Sequence, residues 1–176
     1  SLAAAAAAAA IGAPVGAIGA ALRQFPGLPH RLELVAEVDG VRYVNDSKGT
    51  NVGAVVKSLE GYRGGVILLA GGKDKGGDFR PLRPLLETRV KTLILLGQAR
   101  DAIRSHLAGA CPMEEAASMQ AAVARAGEIA VAGDTVLLSP ACASFDMFRD
   151  FEERGEVFRQ AVRDLASRRE ASGRAR

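Results

Sequence analysis

Three short apolar runs, at residues 66–70, 92–96 and 135–138, constrain the fold of this chain more than any other feature. Apart from a threonine that opens two of them, the runs hold only apolar residues and do not alternate with polar ones. Strands buried on both faces have this pattern, because helices cover both sides of a parallel sheet. Helical patterns separate the runs, so we predict a Rossmann-like α/β fold with a doubly wound, mostly parallel sheet.

Two more strand patterns, at residues 32–38 and 41–44, flank Asp39 and Gly40. An Asp-Gly pair is typical of a two-residue hairpin turn, so we expect an antiparallel hairpin, and we place it at the edge of the sheet. Apolar residues at helical spacing predict helices at residues 2–11, 15–24, 52–59, 79–87, 99–107, 113–129 and 155–166.

The composition excludes several classes of function. The net charge is only +3, and the arginines near the C-terminus are not interleaved with aromatic residues, so we expect no nucleic-acid partner. Cys111 and Cys142 give neither a disulfide framework nor a metal spacing, and they suit a reducing cytoplasm. His30 and His106 are too few and too distant for a zinc site.

Residues 2–22 carry no charge and are long enough to span a membrane. They are nearly all Ala and Gly, however, with Pro14 in the middle, so their transfer into lipid is weakly favoured. No positive segment of a signal peptide precedes them. We therefore expect two packed helices and no membrane partner. The chain starts in mid-helix without Met, and we interpret it as a piece of a longer protein.

Polar or small residues follow three predicted strands directly, at residues 45–51, 71–77 and 139–144. The carboxyl ends of parallel strands meet at one edge of a sheet, which is where α/β folds bind ligands. Helix N-termini at that edge favour anions. We therefore expect one binding face for an anionic ligand. The alternative is that each loop is an ordinary strand-to-helix turn.

The first loop contains side chains suited to a charged ligand. Asp46 can accept hydrogen bonds from a ribose or position a cation, Lys48 can pair with a carboxylate or phosphate, and Thr50 can donate to either. Asn51 is well placed to cap the following helix, and this role alone would also explain the loop.

In the later loops, Lys75 offers a compact positive charge and Ser144 a hydroxyl donor. The loop at residues 71–77 lacks the order of a Walker A motif. Cys142 has no recognisable histidine partner, so we expect an inert thiol. Arg31 can contact a phosphate, or it can be a surface arginine beside an edge strand.

Four motifs in this order resemble the C-terminal domain of the Mur ligases. They are Gly27-Leu28-Pro29-His30-Arg31, the loops at residues 45–51 and 71–75, and Ser139-Pro140-Ala141-Cys142-Ala143-Ser144, followed by Phe-Glu-Glu-Arg-Gly at residues 151–155. The resemblance implies that residues 27–166 form this domain. It implies that residues 1–26 are the last helices of the central, ATP-binding domain, and we expect residues 167–176 to be a disordered tail.

The branch of the family that it resembles adds D-glutamate to UDP-N-acetylmuramoyl-L-alanine. The resemblance implies an ADP-forming, Mg-requiring amide ligation with ATP, through an acyl phosphate, in cytoplasmic peptidoglycan synthesis. It implies a monomer. Because neither a P-loop nor a UDP-binding region occurs in the sequence, we expect this chain to be inactive alone.

Matching motif positions carry roles over to residues of this chain. The resemblance assigns D-glutamate binding to Thr50, Lys75 and Ser144, and to Phe151 through its backbone N–H. It also implies that Lys48 assists at a substrate carboxylate.

For the nucleotide, the resemblance assigns Arg31 and Asp46, with Asp46 on the ribose. It places the catalytic and metal-binding positions upstream of this chain, so none is expected here.

Three rival interpretations remain. Another Mur ligase or a folylpolyglutamate synthetase would share the domain, although the Asp-Asn-Pro-Arg string of the lysine-adding branch is absent. A non-catalytic nucleotide-binding module would need Gly-x-Gly-x-x-Gly after its first parallel strand, and no such string occurs. A scaffold domain would give the three polar loops no reason to cluster.

Overall fold

The computed structural model describes residues 2–174, which form one six-stranded sheet and seven α-helices. The strands are β1 (Glu33–Val38), β2 (Val41–Asn45), β3 (Val66–Gly71), β4 (Val90–Leu96), β5 (Met113–Glu115) and β6 (Thr135–Leu138). The helices are α1 (Leu2–Ala10), α2 (Val15–Gln24), α3 (Val52–Glu60), α4 (Arg83–Arg89), α5 (Arg100–Leu107), α6 (Met119–Ile129) and α7 (Phe151–Arg174). A single 3-10 turn (Arg80–Leu82) leads into α4.

The strands lie in the order β1-β2-β6-β3-β4-β5. Only β1 and β2 pair antiparallel within this sheet, and the other neighbouring strands are parallel. Asp39 and Gly40 have φ angles of 52° and 76°, as a type I′ hairpin turn requires. The prediction of a mostly parallel sheet with a hairpin at its edge is therefore confirmed.

Both faces of the sheet are covered, which explains the lack of alternation in the central strands. Successive residues of a strand point to opposite faces. Val66 and Leu68 of β3 pack on the side of α3, α4 and α5, whereas Ile67 and Leu69 pack on the side of α6 and α7. All six residues of β3 are buried, which explains why the strand contains no polar side chain.

The predicted helix at residues 113–129 is wrong at its start. Met113–Glu115 is the edge strand β5, which pairs with β4, and α6 begins only at Met119. Ser118 caps α6, since its hydroxyl accepts the N–H of Ala121 at 3.2 Å. Met and Glu favour helices, but pairing with β4 outweighs that weak local preference.

The last helix is longer than predicted at both ends. It begins at Phe151 instead of residue 155. Asp150 stabilises this earlier start, because its carboxylate accepts the N–H of Glu153 at 2.7 Å. It also continues to Arg174, where the sequence suggested a disordered tail from residue 167. The helix continues because this segment is rich in Ala, Arg and Glu, which have high intrinsic helix propensity. Residues 175 and 176 lie outside the described residues.

The two N-terminal helices stand apart from the core. Neither α1 nor α2 contains a buried residue, and the two contact each other. Leu2, Ile11 and Val15 are among the most exposed apolar side chains of the described chain. No helix within residues 2–174 combines the length and the apolar character needed to cross a membrane.

Phe158 tests the packing of α7, because its side chain is fully buried beneath the sheet. We expect Phe158→Ala to lower the free energy of unfolding by about 3–5 kcal/mol, through lost burial and the cavity left behind. Urea unfolding measures the change. Exposed Gln160, on the same helix, provides the control, and Gln160→Ala should lower the free energy of unfolding far less. Equal effects of the two substitutions would contradict the packing of α7.

Candidate functional site

The loops after β2, β3 and β6 meet at the carboxyl edge of the sheet. The N–H of Ala141 donates to the carbonyl of Gly49 at 2.9 Å, which joins the loops after β6 and β2. Lys73 and Ala143 exchange two backbone hydrogen bonds of 2.9 and 3.2 Å, which join the loops after β3 and β6. The backbone therefore holds the three loops together as one unit.

Two glycines allow the loops to approach this closely. A Cβ on Gly72, whose φ is 135°, would lie 2.2 Å from the carbonyl oxygen of Ala143. A Cβ on Gly49 would lie 2.7 Å from the hydroxyl of Ser139. Any larger residue would have to push the loops apart at these positions.

Arg154 of α7 ties the loops after β2 and β6 to the helix. Its side chain is 2% exposed. Its guanidinium donates to the hydroxyl and the carbonyl of Ser47, both at 2.9 Å, and to the carbonyl of Cys142 at 3.2 Å. Burial lowers the pKa of Arg154 to about 10, so the group still carries its charge at neutral pH.

The sequence interpretation gave Arg154 no role of its own. A signal was present, because Arg154 lies four residues before Phe158 and so on the apolar face of the last helix. A charged residue on such a face is seldom buried without several hydrogen-bond acceptors.

Asp46, predicted to meet a ribose, is engaged with the protein itself. One carboxylate oxygen accepts the hydroxyls of Ser58 at 2.7 Å and Ser139 at 2.8 Å. The other accepts the N–H of Leu32 at 3.3 Å. Asp46 thus connects α3, the loop after β6 and the segment before β1. This packing role was not predicted.

A first cleft of about 310 Å³ brings Thr50 and Lys75 together. Its wall also includes Asp74, Asp78 and the buried Cys142. Ser144, predicted to share the ligand, is not in this wall but lies two residues beyond Cys142 and is 2% exposed.

Charges in the first cleft have both signs. Lys75 is exposed, and none of the ion pairs found among the described residues involves it. Asp74 accepts the N–H groups of Gly76 and Gly77, each at 3.0 Å, while Asp78 pairs with Arg80 at 2.8 Å. The cleft therefore offers one free cation beside a carboxylate held by neutral donors, which suits a ligand that carries both carboxylate and amine.

A second cleft, of about 270 Å³, is lined in part by residues 46, 48 and 49 of the loop after β2. Its wall contains Arg31, Lys48 and Lys57; Lys57 pairs with Glu60 at 2.8 Å, which leaves two cations against the carboxylate of Asp46. This excess of positive charge favours an anionic ligand such as a phosphate chain.

Phe151 begins α7, where backbone N–H groups have no partner within the helix. Its carbonyl accepts the hydroxyl of Ser47 at 2.8 Å. The ammonium of Lys48 lies 3.7 Å from the centroid of the Phe151 ring. The sequence suggested a role for the backbone N–H alone, so the contact of the ring is new.

His30 anchors the segment that leads from α2 into the sheet. Its carbonyl accepts the N–H of Lys48 at 3.0 Å, and its N–H donates to the carboxylate of Glu33 at 2.9 Å. Burial alone would raise the pKa of Glu33, but hydrogen bonds from Arg159 and His30 outweigh burial and lower it. His30 is buried, and its Nδ1 lies 3.0 Å from the amide nitrogen of Asn45. The sequence interpretation weighed His30 as a zinc ligand and as a base for Cys142, and it missed this role.

Cys142 is an unreactive part of the wall of the first cleft. Burial, together with the nearby carboxylate of Asp74, raises its pKa to about 12, so the thiol stays protonated at neutral pH. Within residues 2–174, His, Cys, Asp and Glu side chains nowhere form a group of three or more that could hold a metal ion.

Comparison with known proteins gives several matches. A family profile described as "Mur ligase, glutamate ligase domain" matches residues 30–142. The UDP-N-acetylmuramoylalanine--D-glutamate ligase of Nitrosococcus oceani is 52% identical over 160 residues, which cover 90% of this chain and 35% of that protein. Its namesake from Geobacter sp. strain M21 is 53% identical over 143 residues, covering 81% of this chain and 32% of the relative. This chain spans about a third of the length of these relatives.

Two solved structures share the fold. A MurF ligase from Thermotoga maritima in complex with ADP matches with a TM-score of 0.64 and 17% identity, over 92% of this chain and 37% of that one. A bifunctional folylpolyglutamate synthase/dihydrofolate synthase from Yersinia pestis CO92 matches with a TM-score of 0.59 and 19% identity, over 85% of this chain and 35% of that one. At these identities the similarity concerns the fold alone.

Replacing Arg154 tests whether it holds the loops. In Arg154→Met, the carbonyls of Ser47 and Cys142 lose their donor. We therefore expect the free energy of unfolding to fall by about 3 kcal/mol. Urea unfolding at neutral pH measures this change. Exposed Arg163 on the same helix is the control, and Arg163→Met should stay within about 0.5 kcal/mol. A variant of Arg154 as stable as the control would show that the loops do not depend on it.

Proposed function

Since this chain belongs to the Mur ligase family, we propose that it is the D-glutamate-binding, C-terminal part of an ADP-forming amide ligase. The acceptor of D-glutamate is UDP-N-acetylmuramoyl-L-alanine. Relatives about half identical to most of this chain carry that substrate pair in their name. The observation that carries the proposal is the first cleft, where Thr50 and Lys75 face one space.

The charges of the first cleft support an amino acid as its ligand. D-Glutamate has two carboxylates and one amine. The Lys75 ammonium and the Thr50 hydroxyl receive one carboxylate. Ser144 and the backbone N–H of Phe151, at the positive end of α7, receive the other. Asp74 lies beside Lys75 in the same cleft and suits the amine before it loses its proton.

The second cleft is the proposed contact with ATP. Arg31, in the wall of this cleft, meets the phosphates. The Asp46 carboxylate already accepts three hydrogen bonds. A carboxylate has about four lone-pair positions, so one is left to accept a hydrogen bond from the ribose. The ADP bound to the Thermotoga maritima neighbour supports nucleotide use in this fold.

The proposed reaction has two steps. A carboxylate oxygen of UDP-N-acetylmuramoyl-L-alanine attacks the γ-phosphorus of ATP, ADP leaves and an acyl phosphate forms. The amine of D-glutamate then attacks the acyl carbon, phosphate leaves and the nitrogen gives up a proton. The residues of this chain hold D-glutamate still so that its amine points at the acyl carbon, which is a task of positioning.

The remaining parts of the proposal concern the longer protein. Residues 1–26 are the last part of its central, ATP-binding domain, and residues 27–166 form the C-terminal domain. Mg²⁺ is required, and its binding residues belong to the other parts of the longer protein. The ligase acts as a cytoplasmic monomer in peptidoglycan synthesis.

Lys75→Ala in the full-length ligase tests the first cleft. Losing the cation should raise the KM for D-glutamate at least about tenfold, equivalent to about 1.4 kcal/mol, and leave the KM for ATP nearly unchanged. Initial rates at varied D-glutamate and ATP give both constants. Lys73→Ala is the matched control, because Lys73 is exposed in the same loop and outside the cleft wall. An unchanged D-glutamate KM would remove Lys75 from the site.

A second test uses the 176-residue chain by itself. We expect it to fold, as circular dichroism will show, and to release no phosphate from ATP in the presence of D-glutamate and UDP-N-acetylmuramoyl-L-alanine. The reason is that it lacks a P-loop, which the proposed ligation requires. Sustained phosphate release by the pure chain would contradict the proposal that the reaction needs other domains of the longer protein.

A further inference from the structure

We propose that the ring of Phe151 positions the ammonium of Lys48, so that this cation points at the bound substrate carboxylate. The inference rests on the proposed function and deepens it, because it gives the side chain of Phe151 a role that the assignment of its backbone N–H does not contain. Phe151 is thus a positioning residue that acts through Lys48.

The contact itself is a cation–π interaction. The Lys48 nitrogen lies 3.7 Å from the centroid of the Phe151 ring, well within the range of about 6 Å in which the negative ring face attracts a cation. Both residues are partly exposed, so the ring shields one side of the ammonium in a contact that is not fully buried.

Both partners are fixed by the surrounding backbone. The N–H of Lys48 donates to the carbonyl of His30, and the carbonyl of Phe151 accepts the hydroxyl of Ser47. The His30 ring meets the Phe151 ring edge-on, with centroids 6.0 Å apart and planes at 83°. The ring therefore has little freedom to turn away from Lys48.

A carboxylate would be the usual partner of a lysine, and the nearest in sequence is Asp46. Its two oxygens already accept hydrogen bonds from Ser58, Ser139 and the N–H of Leu32. Among the described residues, no ion pair within 4.0 Å involves Lys48. The ring thus replaces an acidic partner.

This replacement matters for binding. A salt bridge would neutralise Lys48 and would have to break before a ligand could use the charge. A ring face leaves the net charge and the N–H donors of the ammonium available to an incoming carboxylate. The ring holds the side chain in one direction, so less conformational entropy is lost on binding.

A double-mutant cycle in the full-length ligase tests the coupling. Phe151→Leu should raise the KM for D-glutamate about two- to fivefold, the equivalent of about 0.5–1 kcal/mol for a partly exposed cation–π pair. Lys48→Met should raise it further. Adding Phe151→Leu to Lys48→Met should then change nothing more, because the ring has no cation to hold. Additive effects, or no effect of Lys48→Met, would overturn the proposal.

Nuclear magnetic resonance of the 176-residue chain with ¹³C-labelled lysine tests the geometry without any ligand. The ε-methylene protons of Lys48 should be shielded by the ring current relative to those of Lys73, and Phe151→Leu should remove the shielding. Phe151→Tyr, which keeps a ring, should retain it, and Phe145→Leu, at an exposed ring in the preceding loop, should leave the Lys48 signal in place.

The two experiments separate the two proposals. Unshielded Lys48 protons in the folded chain would overturn the inference whatever the ligase binds. A ligase that does not use D-glutamate, in which the shielding is nonetheless present, would overturn the proposed function instead.

Discussion

The ligand edge of this protein depends on one buried guanidinium. Arg154 crosses from α7 to the loops after β2 and β6 and donates hydrogen bonds to Ser47 and Cys142. Desolvation opposes its charge, yet its pKa of about 10 keeps the charge at neutral pH. Charge-assisted hydrogen bonds are the stronger kind, and here they fix loops that are separated by almost the whole domain in sequence.

Two carboxylates of the site are satisfied by neutral donors, whereas Asp78 pairs with Arg80 and Lys57 with Glu60. Asp46 accepts from two serine hydroxyls and a backbone N–H, and Asp74 accepts from two glycine N–H groups. Lys75 and Lys48 therefore face the clefts without an acidic partner within salt-bridge distance in the described part of the chain. The loops keep the charges of Lys75 and Lys48 available, and the carboxylates of Asp46 and Asp74 also fix the backbone through their hydrogen bonds.

Sequence patterns predicted the layered fold well, because uninterrupted apolar strands leave few alternatives to a sheet covered on both faces. They also predicted that the loops containing Thr50 and Lys75 meet, since loops after parallel strands share an edge, and both residues line one cleft. They failed at Met113–Glu115, where pairing with β4 overrides helix preference. The position of Arg154 on an apolar helix face hinted at its burial, but the partners of Arg154 and His30 could not be predicted, because they lie on other elements; for Arg154 they include a residue more than 100 positions away.

The length of α7 gives the ligand edge a mechanical connection to the far side of the sheet. With 24 residues the helix extends about 36 Å. Near its end, Arg169 donates to the carbonyl of Gly127 at 3.1 Å and lies 3.7 Å from the carboxylate of Asp39 in the hairpin turn. One continuous helix therefore carries both the contacts of Arg154 with the loops and the contacts of Arg169 with α6 and the hairpin turn.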